Sequence, residues 1–300
     1  IGNYNWLSYY SNAEYSILDR YYLGLNVSLD GSSRVGKDAD LPVTMYNRPF
    51  GVFPSVSLAW RISDERPFKN LTWIEEFKIR TSYGISGNDD IGNYSSRSYY
   101  RQVLYRETTG LIVGSLPNTG LMNESYSMLN TGLDIALFGN RILFSADFYD
   151  TKTTDLFILE KQNDYLGYEY LPSNKGEIRN KGKELSLMLR LVDGRKFKWD
   201  SKINTSFNSN KVSSMKGESI VTSIKGGQII TTEGKQINSF YGLIDKGVYA
   251  TTQEARDDSL VNEIGSPFMA GDVIFRDISG PDGKPDGIIN EFDRTIIGSP

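Results

Sequence analysis

Residues 184–192 read Glu-Leu-Ser-Leu-Met-Leu-Arg-Leu-Val, and this stretch indicates the fold class. Leucine occupies every second position from 185 to 191, and Glu184, Ser186 and Arg190 lie between the leucines. Successive side chains of a β-strand point to opposite faces of its sheet. The stretch therefore predicts a strand with one apolar and one polar face.

Seven further segments repeat this alternation, most clearly Arg141–Asp150 and Lys198–Asn208. In the second of them, Trp199, Ile203 and Phe207 share one face. Most of these segments are longer than the usual globular strand of about five or six residues. We predict eight strands, at residues 5–17, 21–30, 51–62, 75–87, 127–138, 141–157, 177–192 and 196–211.

The connections between the predicted strands alternate in length. The short or medium connections are residues 18–20, 63–74, 139–140 and 193–195, and the long ones are 31–50, 88–126, 158–176 and everything after 212. Short turns at one end and long loops at the other are typical of outer-membrane barrels, whose long loops are extracellular. The sequence therefore predicts an all-β, antiparallel transmembrane β-barrel segment. Composition and alternation alone leave a water-soluble β protein open.

The two faces of such strands require different surroundings. Lipid does not solvate charge, so the Leu, Phe and Ile face is expected to contact lipid, and the polar face is expected to line a wet lumen. Tyrosine and tryptophan near strand ends suit the aromatic belts of a membrane interface. The residues assigned to these belts are Tyr9, Tyr22, Trp60, Tyr83, Tyr149 and Trp199.

The composition excludes several classes of protein. The 300 residues contain 33 Lys plus Arg and 37 Asp plus Glu, a mild net charge of −4 that does not indicate a nucleic-acid partner. Cysteine and histidine are absent, which excludes disulfides, Cys/His zinc sites, Ser-His-Asp triads and cysteine nucleophiles. There is no apolar run long enough for a membrane-spanning helix. The chain starts at Ile1, with neither an initiator Met nor a signal peptide.

Six short stretches resemble signatures of the SusC/RagA family of TonB-dependent outer-membrane transporters, and they occur in the family's order. They are Asp30–Arg34, Phe53–Ser57 followed by Trp60-Arg61-Ile62, Phe77–Gly84 followed by Ser86-Gly87-Asn88, Gly176–Gly182 followed by Glu184-Leu185, Ser239–Gly242, and Gly271–Asp277 followed by Asp293–Gly298. Two positions depart from the family pattern. Residues 118–124 lack its Pro and Trp, and Lys183 replaces an aromatic residue.

The resemblance implies the following expectations. The chain is a fragment, the C-terminal part of the barrel: residues 1–300 form part of a single barrel domain of 22 strands, without the plug domain and the N-terminal barrel strands. Residues 212–300 form a long extracellular loop region. The whole protein imports glycans or peptides across the outer membrane of a Gram-negative bacterium of the Bacteroidota type. Its partners are a SusD-like surface lipoprotein, TonB through the missing plug region, the cargo and outer-membrane lipid. Eight strands do not close such a barrel, so we expect that the isolated chain does not fold stably.

No catalytic, cofactor-binding or metal-binding residue is assigned, and no cofactor is expected. Residues 277–287 invite a calcium interpretation, but their carboxylates do not match the EF-hand spacing. Loop tyrosines suit glycan binding, although ordinary loop packing explains each of them more simply. These tyrosines are Tyr94, Tyr99, Tyr100, Tyr105, Tyr165, Tyr168 and Tyr170. The competing hypotheses are a docking or structural barrel of the outer membrane and, less favoured, a soluble β-rich hydrolase.

Overall fold

The structure is a computed structural model that describes residues 3–162, 170–215, 217 and 219–300. Within them the chain divides into two compact units, residues 1–216 and 217–300. The first unit is built on one sheet of eight long antiparallel strands, in which every neighbour in space is also a neighbour in sequence. These strands are β1 (Trp6–Ile17), β2 (Tyr21–Ser32), β3 (Arg48–Arg61), β4 (Ile74–Asn88), β5 (Glu124–Leu137), β6 (Ile142–Thr154), β7 (Glu177–Asp193) and β8 (Lys198–Ser214).

All eight predicted strands are present, and the all-β antiparallel prediction is confirmed. Several boundaries differ. β3 begins at Arg48 because its first residues pair with a short strand, Val43–Met45, across a turn in which Tyr46 and Asn47 both have positive φ. β6 ends at Thr154 and not at 157, because Asp155 adopts a φ of 56° that leaves the extended conformation.

The short connections have local structural causes. In the three-residue connection after β1, Leu18 and Asp19 have φ values of 55° and 53°, and Arg20 N donates to Ile17 O at 3.1 Å, as in a type I′ turn. The turn after β5 uses positive φ at Phe138, Gly139 and Asn140. The connection after β3 holds a 3₁₀ turn (Ile62–Asp64) and one helical turn (Arg66–Lys69). These connections lie at one end of the sheet, which we call the short-turn end.

The long connections of the first unit contain structure that the sequence did not indicate. The connection between β4 and β5 contains a hairpin of strands Tyr99–Tyr105 and Thr108–Ser115. The connection between β6 and β7 contains the paired strands Phe157–Lys161 and Tyr170–Asn174. Four apolar residues at this end of the sheet, Val35, Phe50, Ile91 and Leu121, are almost fully buried, so the loops enclose buried apolar side chains. We call this end the long-loop end.

The second unit has its own sheet of four strands, Ile220–Ile224, Gly227–Thr231, Ser239–Gly242 and Thr295–Gly298, joined in that order. Strand Asp245–Val248 pairs with Val273–Phe275, and Val261–Asn262 runs parallel to Ile288–Ile289. A helix (Thr252–Asp258) and a 3₁₀ turn (Glu291–Asp293) complete it. The single-domain assignment of residues 1–300 and the extracellular position of 212–300 stay predictions.

Tyr249 is a buried residue of this second unit. Its hydroxyl donates to Asp258 Oδ2 at 2.6 Å, and its ring centroid lies 6.2 Å from that of Phe268. Burial first, and then this hydrogen bond, raise the pKa of Tyr249 to about 12. The neutral phenol therefore contributes to the stability of the fold.

We expect this contribution to be lost in alkaline solution. Because the folded pKa lies above the ordinary value of 10.0, the stabilisation is complete below about pH 10 and disappears as the pH rises towards 12. Two pKa units correspond to roughly 2–3 kcal/mol. The measurement is the difference in tyrosinate absorbance between the wild type and Tyr249→Phe, which should titrate with a midpoint near pH 12. A midpoint near pH 10 would contradict the buried hydrogen bond.

Candidate functional site: the two faces of the eight-stranded sheet

One face of the sheet, here called the apolar face, is a continuous apolar surface. Cross-strand partners share a face, and the register aligns Ile17, Tyr21, Trp60, Ile79, Leu133, Ala146 and Leu185 in one row. Many large side chains on this face are exposed, with 51% for Leu58, 57% for Ile203 and 64% for Phe207. In water such a surface is unfavourable, so it requires an apolar medium or partner.

The exposure of the leucines in β7 distinguishes the wall of a membrane barrel from a soluble β-sandwich. Leu185, Leu187 and Leu189 are each only half-buried, and Leu191 is 48% exposed. No described strand packs over this face as a second layer. The leucines therefore do not lie in a dry interior, as they would in a sandwich of two packed sheets.

Aromatic residues and one carboxylate mark the short-turn edge of the apolar face. The rings of Tyr21 and Trp60 stack at 6.3 Å between centroids. The Tyr21 hydroxyl donates to Glu65 Oε1 at 2.6 Å, and Trp60 Nε1 donates to the same oxygen at 3.2 Å. Both rings lie on the apolar face, and their polar atoms donate to a charged group. This arrangement is typical of aromatic residues at a membrane interface.

Two residues assigned to the aromatic belts were placed on the wrong face. Tyr22 pairs with Ala59 and Tyr149 with Gly182, and both rows belong to the opposite, polar face. The signal was available, since Tyr149 follows Phe148, and adjacent residues cannot share a face. The other four members, Tyr9, Trp60, Tyr83 and Trp199, lie on the apolar face.

The opposite face of the sheet, here called the polar face, is lined with small and amide side chains. One row reads Gly24, Ser57, Ser82, Asn130, Tyr149, Gly182 and Asn208 from β2 to β8. Hydrogen bonds join neighbours on this face, including Ser186 Oγ to Asn204 Oδ1 at 2.9 Å and Asn12 to Asn26. Such a face is stable in contact with water and offers donors and acceptors to a passing solute.

The centre of the polar face is an ionic network across three strands. Arg80 of β4 donates from Nε to Asp134 Oδ2 of β5 at 2.9 Å. It also reaches Asp147 of β6, with Nη1 to Oδ1 at 2.6 Å and Nη2 to Oδ2 at 2.7 Å. Ser145 donates to Asp134 at 2.8 Å, and Asn130 donates to Asp147 at 3.0 Å. One guanidinium therefore links three strands, with bidentate geometry on Asp147.

Gly132 makes this geometry possible. It is the cross-strand partner of both Arg80 and Asp147, and a Cβ placed on it would lie 2.5 Å from Arg80 Cζ. The missing side chain lets the guanidinium lie flat across β5 and reach β6. The sequence alone does not reveal this network, because Asp134 and Asp147 lie 54 and 67 residues from Arg80 and only the strand register brings them together.

At the long-loop end, polar contacts tie the loops to one another. Arg34 lies over the ring of Tyr4 at 4.0 Å, donates to Asn93 Oδ1 at 2.8 Å and lies 3.3 Å from Asp90 Oδ1. The Asn174 amide accepts from Met122 N at 2.7 Å and donates to Met122 O at 2.9 Å. These contacts hold the loops at the mouth of the polar face in a defined arrangement.

The loop suggested for calcium uses its carboxylates to accept backbone hydrogen bonds. Asp277 accepts from Gly287 N at 2.7 Å, and Asp286 accepts from Ile288 N at 3.0 Å. Asp293, fully buried, accepts from Ile278 N at 2.7 Å and Asn290 N at 2.9 Å. Within the described ranges, no three acidic residues converge as a metal site.

The loop tyrosines do not converge either. Tyr99, Tyr100 and Tyr105 are exposed along one hairpin, and Tyr94 accepts a hydrogen bond from Asn3 N at 3.2 Å. Tyr170 starts another hairpin strand. Tyr165 and Tyr168 lie outside the residues that the structure describes. No described helix has the length and apolarity to cross a bilayer.

The comparison with known protein families decides what kind of sheet this is. Residues 2–243 match the family described as TonB dependent receptor-like, beta-barrel. The chain belongs to this family. As in other TonB-dependent receptors, its sheet is a segment of a transmembrane β-barrel, and the exposed apolar face has the composition of a lipid-facing barrel wall.

Individual relatives confirm the SusC/RagA resemblance. TonB-dependent receptor P3 of Formosa agariphila is 31% identical over 98% of this chain and 29% of its own length. TonB-dependent receptor SusC of Bacteroides thetaiotaomicron is 30% identical over 70% of the chain and 21% of its own length. The chain therefore spans less than a third of the length of these relatives.

Solved structures agree on the fold. The structure of the RagAB peptide transporter matches with a TM-score of 0.71 and 25% identity, over 83% of this chain and 27% of that one. The RagAB peptide importer in its open-open state matches with a TM-score of 0.75 and 23% identity, over 98% of this chain and 29% of that one. The second likeness supports the barrel fold alone.

Proposed function

We propose that this chain is part of the wall of an outer-membrane transporter of a Bacteroidota-type bacterium. The transporter imports glycans or peptides in a TonB-dependent manner, and the solute passes along the polar face. The observation that carries the proposal is the division of one sheet into an exposed apolar face and a hydrogen-bonded polar face. The relatives support uptake, and the similar RagAB protein is a peptide transporter.

The partners follow from the same relatives. A SusD-like surface lipoprotein is proposed to sit at the long-loop end, where Arg34 and Asn174 hold the loops together. TonB is proposed to act through a plug region of the whole protein. The mechanism is binding and passage, without bond chemistry, and the apolar face disfavours a soluble hydrolase because water would contact it directly.

The absence of cysteine from the chain permits a direct test of the two faces. We would introduce single cysteines at Ser186 and Asn204, which pair on the polar face, and at Leu187 and Ile203, which pair on the apolar face. In intact cells a water-soluble maleimide is expected to label the S186C and N204C variants and to leave L187C and I203C unlabelled. Equal labelling of both pairs would contradict the wall assignment.

Transport itself needs a second measurement. Deletion of the whole gene is expected to abolish growth on one defined glycan or peptide mixture, and the wild-type gene should restore it. Labelling S186C with a bulky maleimide should then lower uptake of that cargo, whereas the same treatment of wild-type cells should not. Unchanged uptake after deletion would refute the transporter function and leave the docking barrel as the alternative.

A further inference from the structure

The short-turn end of the sheet is divided into two halves of different charge. The turns after β1 and β3, residues 18–20 and 61–76, hold four basic and five acidic side chains. The turns after β5 and β7, residues 138–141 and 190–200, hold five basic and two acidic side chains, a difference of +3. The basic residues of the second half, here called the basic rim, are Arg141, Arg190, Arg195, Lys196 and Lys198.

The basic rim is contiguous in space. Arg190 N donates to Arg141 O at 2.8 Å, which joins the turn after β5 to the end of β7. Gly194 N donates to Phe197 O at 2.9 Å and closes the turn that carries Arg195 and Lys196. The five cations therefore lie on two adjacent turns of the same edge.

Three of the five cations lack a carboxylate. Arg190 Nε lies 3.4 Å from Asp200 Oδ1, and Lys198 Nζ lies 3.4 Å from Asp193 Oδ1. Arg141, Arg195 and Lys196 are exposed and form no ion pair with any residue that the structure describes. In the first half, Arg20 and Arg61 are paired with Glu65 and Asp64, respectively. Arg66 and Lys69 of that half form no ion pair with a described residue, but they lie among five acidic side chains. The basic rim therefore offers free guanidinium and ammonium donors.

Exposed aromatic side chains lie directly beside these cations. Phe138 N donates to Trp73 O at 2.9 Å, and the two rings stack at 5.8 Å between centroids. Trp73 and Phe138 are 45% and 52% exposed, and Phe197 and Trp199 on the other side of the rim are 60% and 54% exposed. In membrane proteins such rings favour the boundary between acyl chains and headgroups, so we expect the free cations beside them at headgroup depth.

We propose that the basic rim binds the phosphate of an anionic phospholipid from the periplasmic leaflet of the outer membrane. Guanidinium groups form charge-assisted, often bidentate, hydrogen bonds with phosphate oxygens, and the neighbouring rings pack against the acyl chains. This lipid site is additional to the proposed uptake function. The charge of the headgroup determines which lipid binds. A zwitterionic headgroup carries an ammonium that the free cations of the rim repel.

The test measures lipid retention by the whole protein that carries this chain. The protein is extracted in detergent, exposed to equal amounts of phosphatidylglycerol and phosphatidylethanolamine, and analysed by native mass spectrometry. The wild type should retain phosphatidylglycerol preferentially. The variant R141Q/R195Q/K196Q should lose that retention by at least about tenfold, since each cation near an anionic headgroup contributes measurably to binding.

The matched control is R66Q/K69Q, which removes two exposed cations from the acid-rich half of the same edge. It should change retention by less than about twofold, because the acidic neighbours already screen these positions. Equal retention of the two lipids by the wild type, or equal losses in the two variants, would overturn the proposal. Binding of inorganic phosphate that is lost in R141Q/R195Q/K196Q while retention of phosphatidylglycerol is unchanged would also overturn it, in favour of a site for free anions. Uptake of cargo is measured separately, so failure of the lipid site and failure of the transport function are distinguishable.

Discussion

Replacement of Leu187 by arginine is expected to destabilise the membrane-inserted barrel by about 2–4 kcal/mol, the range for a cation on the lipid face near the bilayer midplane. Leu187 lies on the apolar face between Phe144 of β6 and Ile203 of β8. A guanidinium at this position has no water and no carboxylate beside it on that face. The measurement is urea unfolding of the whole protein in lipid vesicles, followed by its heat-modifiable migration on a gel.

The adjacent residue provides the control. Ser186 lies on the polar face opposite Asn204, so Ser186→Arg places the same charge in contact with water. We expect this variant to lie within about 1 kcal/mol of the wild type, as surface substitutions usually do. If both variants were equally destabilised, the two faces would not differ in their surroundings, and the barrel interpretation would fail.

Removal of the Arg80 guanidinium is expected to have the second largest effect. Arg80→Met leaves Asp134 and Asp147 facing each other without a cation on the polar face. Loss of one partner from a buried ion pair costs 3–5 kcal/mol, but Arg80 keeps 32% of its side chain exposed. Water screens the remaining carboxylates in part, so we expect a loss of about 2 kcal/mol in the same unfolding experiment.

Two further variants identify the cause of that loss. The triple variant R80M/D134N/D147N should recover most of the stability, because it removes the unpaired charges. Arg179→Met removes a cation that also contacts an aspartate, Asp150, at 2.5 Å, but the Arg179 side chain is 50% exposed. It should cost less than about 1 kcal/mol. A triple variant as unstable as R80M would show that the packing of the Arg80 side chain, and not its charge, stabilises the sheet.

The contrast between strands and loops shows what the sequence could reveal. Alternation predicted all eight strands because each strand has one apolar and one polar face. Apolar residues therefore occupy every second position, as Leu185, Leu187 and Leu189 do. The hairpin at 99–115 sits in the long-loop end, where no medium imposes a period. Its structure therefore left no comparable pattern in the sequence.

The polar network was hidden for a different reason. Arg80, Asp134 and Asp147 are unremarkable polar positions when each strand is considered by itself. Their meeting depends on the relative register of three strands, which alternation does not determine, and on the missing side chain of Gly132. Tyr22 and Tyr149 lie on the polar face because the face of a strand residue depends on whether its position is odd or even, and not on its distance from the strand end.

The strictly sequential order of the sheet has a consequence for its assembly. Each strand pairs with the strand made just before it, so the sheet can grow one strand at a time with only a loop to close at each step. Closing the long connection between Asn88 and Glu124 costs only about 2 kcal/mol more than closing the three-residue turn after Ile17, because loop entropy grows with the logarithm of length. Insertions between Asn88 and Glu124 therefore add little to the cost of pairing β4 with β5. The long loops of such a barrel can therefore change extensively in evolution while the strands keep their register.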